Sequence, residues 1–212
     1  MKILKVIFLL LILFLSQIEL FAGIFHLTQD EKEFIKNAPD SIVIARRFNH
    51  FYQFLDEAKS FNTDKKIIRT NVFINKIIPK NDPIGTNEWA SPKEFLMKGY
   101  GDCEDYVIAK YFTLLDLNID EKKLYLSVVK VKGVKNYHMI LLYQDDLNHL
   151  FVLDNLSWKI KLLEDRKDLQ FLYAFNNNHS YMLKNNSLVT ENNIKREEVE
   201  MFSKIYFQSF NQ

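Results

Sequence analysis

The pattern of apolar residues changes once along this chain, and that change limits what it can fold into. Through the first half, apolar side chains recur at helical spacing; from Leu124 onward they fall into short runs rich in β-branched and aromatic residues, bounded by polar turns. Helices first and strands second is the pattern of an α+β domain with an antiparallel sheet, not of an alternating βαβ chain. Thr28-Gln29-Asp30-Glu31 reads as a capping box opening a helix. Residues 41–59 follow, with Ile42, Ala45, Phe48, Tyr52 and Leu55 as the expected inward face. Residues 64–77 repeat the pattern with Ile67, Ile68, Val72, Phe73 and Ile77, and Asn81-Asp82-Pro83 closes it. Ser91-Pro92-Lys93-Glu94 is a second capping box, with proline at the first helical position, on a short helix ending at Gly99. Gly101-Asp102-Cys103 opens another helix, in which Val107, Ala109, Tyr111, Leu114 and Leu115 are expected to be buried. Strands are expected over 124–131, 137–143, 149–155, 171–175 and 181–183, and a closing helix from 190 to about 210.

The start of the chain has a different character. Lys2 and Lys5 precede an unbroken apolar run from Val6 to Leu15, and Leu20-Phe21-Ala22 ends on a small residue. This is the layout of a secretory signal peptide, and the run is shorter than the ~20 apolar residues a spanning helix needs. The expected organisation is a leader over 1–22 and one domain over 23–212, exported and without stable membrane insertion once the leader is removed. Removal takes two lysines and one glutamate, leaving acidic and basic residues equal in number. The whole chain carries a formal charge of only +1, which gives no electrostatic basis for a nucleic-acid partner.

Cys103 is the one cysteine, so no intrachain disulfide can form. A lone thiol in an oxidising compartment is either buried and inert or kept for chemistry. Its neighbours favour chemistry. Asp102 is a suitable N-cap, which puts Cys103 in the first turn of a helix, where the macrodipole and free N–H groups favour a thiolate. A nucleophile also needs a base, and the base an orienting group. If 137–143 and 149–155 form a hairpin whose polar turn centres near Asp146, residue 138 faces residue 154. His138 and Asp154 then become cross-strand partners on one face. His26, His50 and His179 have no positioned carboxylate, and His149 lies at the turn.

The segment from Gly99 to Tyr106, followed by Ala109-Lys110-Tyr111, resembles the nucleophile segment of the bacterial transglutaminase-like cysteine proteinases. Trp89-Ala90-Ser91-Pro92-Lys93-Glu94-Phe95 is similar to the stretch before it. His138-Met139, Val152-Leu153-Asp154-Asn155, Asp168-Leu169 and Tyr173-Ala174-Phe175-Asn176 are similar to the later segments, in the family's order. The resemblance implies a papain-like, transglutaminase-type α+β fold and a Cys103–His138–Asp154 triad. It implies a periplasmic protease whose substrate is the N-terminal retention region of a large surface adhesin, cut at a small-residue pair such as Ala-Ala, so that cells leave a biofilm. It implies a partner, an inner-membrane cyclic-di-GMP receptor that sequesters the protease, and Ca²⁺ held through Asp102 and Glu104. Two carboxylates beside a thiol raise its pKa, a penalty that a bound Ca²⁺ cancels. Two other readings stay open: an amide acyltransferase or amidase using the same triad, and a non-catalytic partner of the receptor.

Overall fold

The computed structural model describes residues 23–83, 85–191 and 196–210. The expected leader, 1–22, lies outside the described residues. Among the described residues no helix is long and apolar enough to cross a membrane.

The first half is helical: α1 (Gln29–Asn37), α2 (Ser41–Lys59), α3 (Thr63–Ile74), α4 (Pro92–Lys98) and α5 (Cys103–Asp116). Two short strands, β1 (Ile78–Pro79) and β2 (Tyr100–Gly101), pair in parallel just before α5. Both expected capping boxes form, on Thr28 with Glu31 and on Ser91 with Glu94. Gly99 ends α4 at φ 72°, a left-handed cap that glycine adopts without strain. Arg47 from α2 lies against that cap and donates to the Leu96 and Met97 carbonyls at 2.6 and 2.9 Å, satisfying the exposed end of α4.

The second half is one antiparallel sheet: β3 (Leu124–Val131), β4 (Tyr137–Gln144), β5 (Leu150–Asp154), β6 (Ser157–Leu162), β7 (Leu169–Phe175), β8 (Ser180–Lys184) and β9 (Ser187–Glu191), in the order β6-β5-β4-β3-β7-β8-β9. A final helix, α6 (Glu197–Phe210), packs Phe202 edge-on against Tyr111 of α5. The α+β architecture, helices packed on an antiparallel sheet, is the expected one. α5 lies at its centre, buried from Glu104 to Leu114, in a core shared with α2, α3, α4, α6 and one face of the sheet. A helix buried all round is largely apolar, and this one carries Tyr106, Val107, Ile108, Tyr111, Phe112 and Leu114, with Glu104, Asp105, Lys110 and Thr113 as buried polar exceptions.

Several local expectations are corrected. α2 buries Ile44, Phe48, Phe51, Phe54 and Ala58, while Ile42 is 74% exposed. Ile42, Val43 and Ile44 are consecutive, so more than one stripe satisfies helical spacing, and the stripe with more aromatic area wins. α3 stops at Ile74 and turns inward Ile67, Thr70, Asn71 and Ile74, leaving Ile68 exposed. The expected helix from 190 starts at Glu197 instead, because Ser187–Glu191 is strand β9, with Thr190 paired to Tyr181. Asn185 and Asn186 both have positive φ (49° and 59°), which suits the tight hairpin joining β8 to β9. β6 likewise stands where no strand was expected; none of its residues is fully buried, so no apolar run marks it in the sequence.

Gly101 sits where backbone and helix close on each other. A Cβ there would lie 2.8 Å from the Phe95 ring and from Asp105 Cβ, and closer still to the Asp105 carboxylate. Gly101→Ala is therefore expected to cost about 1–3 kcal/mol, read as a lower urea midpoint. An unchanged midpoint would show that the turn has slack.

Candidate active site

Cys103 is the first residue of α5, as expected, and is half-buried. Its sulfur meets two elements. It lies 3.1 Å from Glu104 Oε2 on its own helix, and a backbone hydrogen bond from Met139 reaches it from β4. Burial pushes the thiol pKa well up, and the charge and hydrogen bond of Glu104 push it further; the Met139 contact pulls the other way.

Met139 is the neighbour of His138, which is buried, with Nε2 2.8 Å from Asp154 Oδ1. The pair forms, but not in the expected register. β4 and β5 pair as Leu141↔Leu153, Leu142↔Val152, Tyr143↔Phe151 and Gln144↔Leu150. This ladder places residue 138 two positions away from direct opposition to 154. The turn explains the slip: Asp145 N–H bonds the His149 carbonyl, and Asn148 at φ 64° completes a loop centred on Leu147 rather than Asp146. A slip of two keeps the side-chain parity, so His138 and Asp154 meet as diagonal neighbours.

Asp154 is held on every side. Its Oδ1 also accepts from Leu156 N–H at 3.0 Å, and its Oδ2 accepts from Arg166 Nη1 at 3.0 Å. Asn75 of α3 donates to the Asp154 carbonyl at 2.8 Å. Arg166 is fixed in turn by two bonds to Asp168, at 2.8 and 2.7 Å. Burial favours the neutral acid, but the His138 bond and charge, the Leu156 N–H and Arg166 outweigh it and bring the Asp154 pKa down to about 2. With Asp154 anionic, Nε2 of His138 carries the proton of that bond and Nδ1 is left as the free ring nitrogen.

On the other side of Cys103 stands a group of carboxylates. Asp82, Asp102 and Glu104 can bring one oxygen each within 4.8 Å of one another. Asp102 occupies the N-cap position, yet its side chain makes no capping bond, and its buried Oδ1 has no hydrogen-bond partner. The expectation that Asp102 caps the helix with its side chain is thus corrected; the Asp105 carboxylate instead holds the backbone of the N-cap residue. Asp105 accepts from the Asp102 backbone N–H and, at 2.7 Å, from Ala90 N–H. Burial pushes the Asp102 carboxyl up to about 8, helped by the negative charges of Glu104, Asp105 and Asp82. Hard oxygen donors, one of them an orphan, converging at a helix start fit a Ca²⁺-type cation. Asp82 was read in the sequence only as part of a helix stop; no local signal ties it to residues 102 and 104.

The profile of the bacterial transglutaminase-like cysteine proteinases matches residues 53–185. The chain belongs to this family. Among solved structures, calcium-bound LapG of Legionella pneumophila is 28% identical with a TM-score of 0.66, covering 75% of this chain and 88% of that one. EGTA-treated LapG of the same organism is 25% identical with a TM-score of 0.71, covering 84% and 95%. No curated protein sequence matches the chain. The cysteine segment opens the central helix, the histidine and aspartate segments lie on adjacent strands, and Asp168 braces the arginine behind Asp154.

Arg166, Asn71 and Asn75 were missed in the sequence. Arg166 lies in a charged run, Glu164-Asp165-Arg166-Lys167-Asp168, that reads as a solvated turn, yet it is 9% exposed. Arg166→Met leaves a buried carboxylate with one partner fewer and is expected to cost on the order of 3 kcal/mol at neutral pH. Because the Asp154 pKa is depressed, this contribution is present above the ordinary carboxylate range and is lost as pH falls toward about 2. Urea titrations of both proteins from neutral pH downward should show the gap narrowing below about pH 4. A gap that stays constant would assign the loss to packing of the arginine stem.

Proposed function

We propose that this chain is an exported cysteine endopeptidase acting through Cys103, His138 and Asp154. The observation that carries the reading is the 2.8 Å His138–Asp154 contact beside a helix-start thiol, in a chain of a cysteine proteinase family. Cys103 Sγ attacks the scissile carbonyl, and its proton passes to Nδ1 of His138. The imidazolium is stabilised by Asp154, which is oriented by Arg166 and the Leu156 N–H. His138 then returns the proton to the departing amine and later activates the water that frees the acyl-enzyme. The backbone N–H groups at the start of α5 are positioned to receive the oxyanion.

Asp82, Asp102 and Glu104 are the residues that would hold Ca²⁺, and the calcium-bound form of the LapG relative supports this. A bound divalent cation would neutralise the carboxylates that now disfavour the Cys103 thiolate. Without it, Asp102 keeps its proton below about pH 8. Apparent Ca²⁺ affinity is therefore expected to rise with pH up to about 8 and level off above, with proton release at neutral pH. Calorimetry in buffers of different ionisation enthalpy measures this. Asp82→Asn should weaken binding by about tenfold or more; heat independent of buffer and unaffected by this substitution would remove the site.

The substrate we propose is the N-terminal retention region of a large surface adhesin, cut at a small-residue pair, with access controlled by an inner-membrane cyclic-di-GMP receptor. The family resemblance supports this. The test is incubation of residues 23–212 with that region of the adhesin of the same cell, with calcium and then with excess chelator. One discrete cut, absent in Cys103→Ala and lost with chelator, is the expected result. Acyl transfer to an added amine in place of cleavage would move the assignment to an amide acyltransferase. No turnover by folded wild type would leave a binding role.

A further inference from the structure

Asp116 is the last residue of α5, the helix that opens on Cys103. A carboxylate there meets the negative end of the helix dipole, and the last turn of α5 carries no basic residue to offset it. Asp116 is half-buried, and burial pushes its pKa up. Among the described residues its one hydrogen bond comes from the Ile24 N–H, 3.3 Å from Oδ1. The neighbouring lysines are engaged elsewhere. Lys59 of α2 lies 3.6 Å from Asp56 with a mostly exposed side chain, and Lys93 of α4 is held by Glu31 at 2.8 Å.

The chain supplies another cation from its own backbone. The first residues of a domain are poorly ordered unless tied down, and residues 23–26 are tied at every step. The Gly23 carbonyl accepts from the His26 N–H at 2.7 Å, and the Phe25 ring lies 4.4 Å from that of Phe51. The Phe25 carbonyl accepts from the Tyr52 hydroxyl at 2.9 Å, and the His26 carbonyl from Lys93 Nζ at 3.3 Å. These contacts hold Gly23 against Asp116. A Cβ on Gly23 would lie 3.2 and 3.3 Å from the two carboxylate oxygens, so a side chain there would crowd them. The nitrogen of residue 23 is carried by the same α-carbon. While Ala22 precedes it, that nitrogen is a neutral amide. Hydrolysis of the bond between them puts the hydroxyl of water on the Ala22 carbonyl and leaves Gly23 an amine, which takes up a proton at neutral pH.

We propose that leader removal between Ala22 and Gly23 creates an ion-pair site: the α-ammonium of Gly23 docks on the Asp116 carboxylate and anchors the end of α5 opposite Cys103. This rests on the reading of the chain as an exported, processed protein. The uncut precursor lacks the cation, so the pair belongs to the mature form alone. The cavity at Asp116, about 760 Å³, is also faced by Tyr52, Asp56 and Lys59 of α2, by His26 and by Lys93; α6 contributes only the uncharged Ser209 and Phe210.

The test needs no substrate. The chain is produced with its leader, recovered from the periplasm and weighed intact; the expected mass is that of residues 23–212. Labelling the glycines with ¹³C lets the Gly23 Cα resonance report protonation of its amine. The wild-type midpoint is expected about one unit above that of Asp116→Asn. Asparagine keeps the shape and an acceptor for the Ile24 N–H, and the other groups in the cavity are the same in both proteins. A second comparison sets the chain starting at Gly23 against one that retains Phe21-Ala22, in which the nitrogen stays an amide. An amine whose folded pKa is raised stabilises below its unfolded value of about 8, and the effect is lost as pH rises through the folded value. The extended chain should therefore have the lower urea midpoint at neutral pH, with the gap closing by about pH 10. If Asp116→Asn does not fold, this comparison decides alone. An unmoved Gly23 midpoint in Asp116→Asn, or a urea gap absent or independent of pH, would overturn the ion pair. A cut at another bond would overturn it and leave export standing, whereas an uncut leader would remove the export reading as well, and the mass separates the two.

Discussion

The fold converges on one buried anion. Asp154 is 1% exposed and ionised far below the usual range, which a protein interior tolerates only when every lone pair is answered. The answers come from distant parts of the chain: His138 on β4, the Leu156 N–H in the next turn, and Arg166 beyond β6. α3 joins through Asn75, which bonds the carbonyl of the same residue. The helical half and the sheet are therefore locked together at this point by directional contacts as well as by apolar packing. That locks the imidazole too, because its Nε2 has only one geometry available to it.

The other end of the site obeys the opposite logic. A helix start favours an anion, and α5 meets this with Asp105, whose carboxylate accepts the Asp102 and Ala90 N–H groups. That leaves Asp82, Asp102 and Glu104 together beside the thiol. The charge of Glu104 works against a thiolate, and burial together with the neighbouring carboxylates raises Asp102 to about 8, so that it holds its proton at neutral pH. A cluster so arranged stores repulsion that a hard cation relieves. The thiol is thereby tied electrostatically to the carboxylates beside it, while His138 is held by Asp154 on the far side.

Much of this was legible in the sequence, for physical reasons that also mark its limits. Helix starts were readable because capping is local: Thr28 with Glu31 and Ser91 with Glu94 satisfy donors three residues away. The cysteine's place was readable because aspartate suits the N-cap position, which Asp102 occupies although its side chain makes no capping bond. Hairpin parity was readable, but the register was not, because it depends on how Asn148 folds the turn, and a slip of two leaves the pattern unchanged. Arg166, Asn71, Asp82 and Lys110 were opaque. Each is a polar residue in an ordinary polar or helical stretch, and its role exists only once elements far apart in the chain meet.

Those four residues share a feature that separates them from the rest of the polar surface. Arg166 is a buried cation on the Asp154 carboxylate; Asn71 holds the turn behind it; Lys110 is buried with no hydrogen-bond partner on Nζ; Asp82 completes the carboxylate group beside Cys103. None is required by secondary structure, and apolar packing alone would be served better by leucine at 110 or 71. The burial of Arg166, Asn71 and Lys110 opposes stability locally unless neighbouring groups answer it, and for Arg166 the Asp154 and Asp168 carboxylates do so.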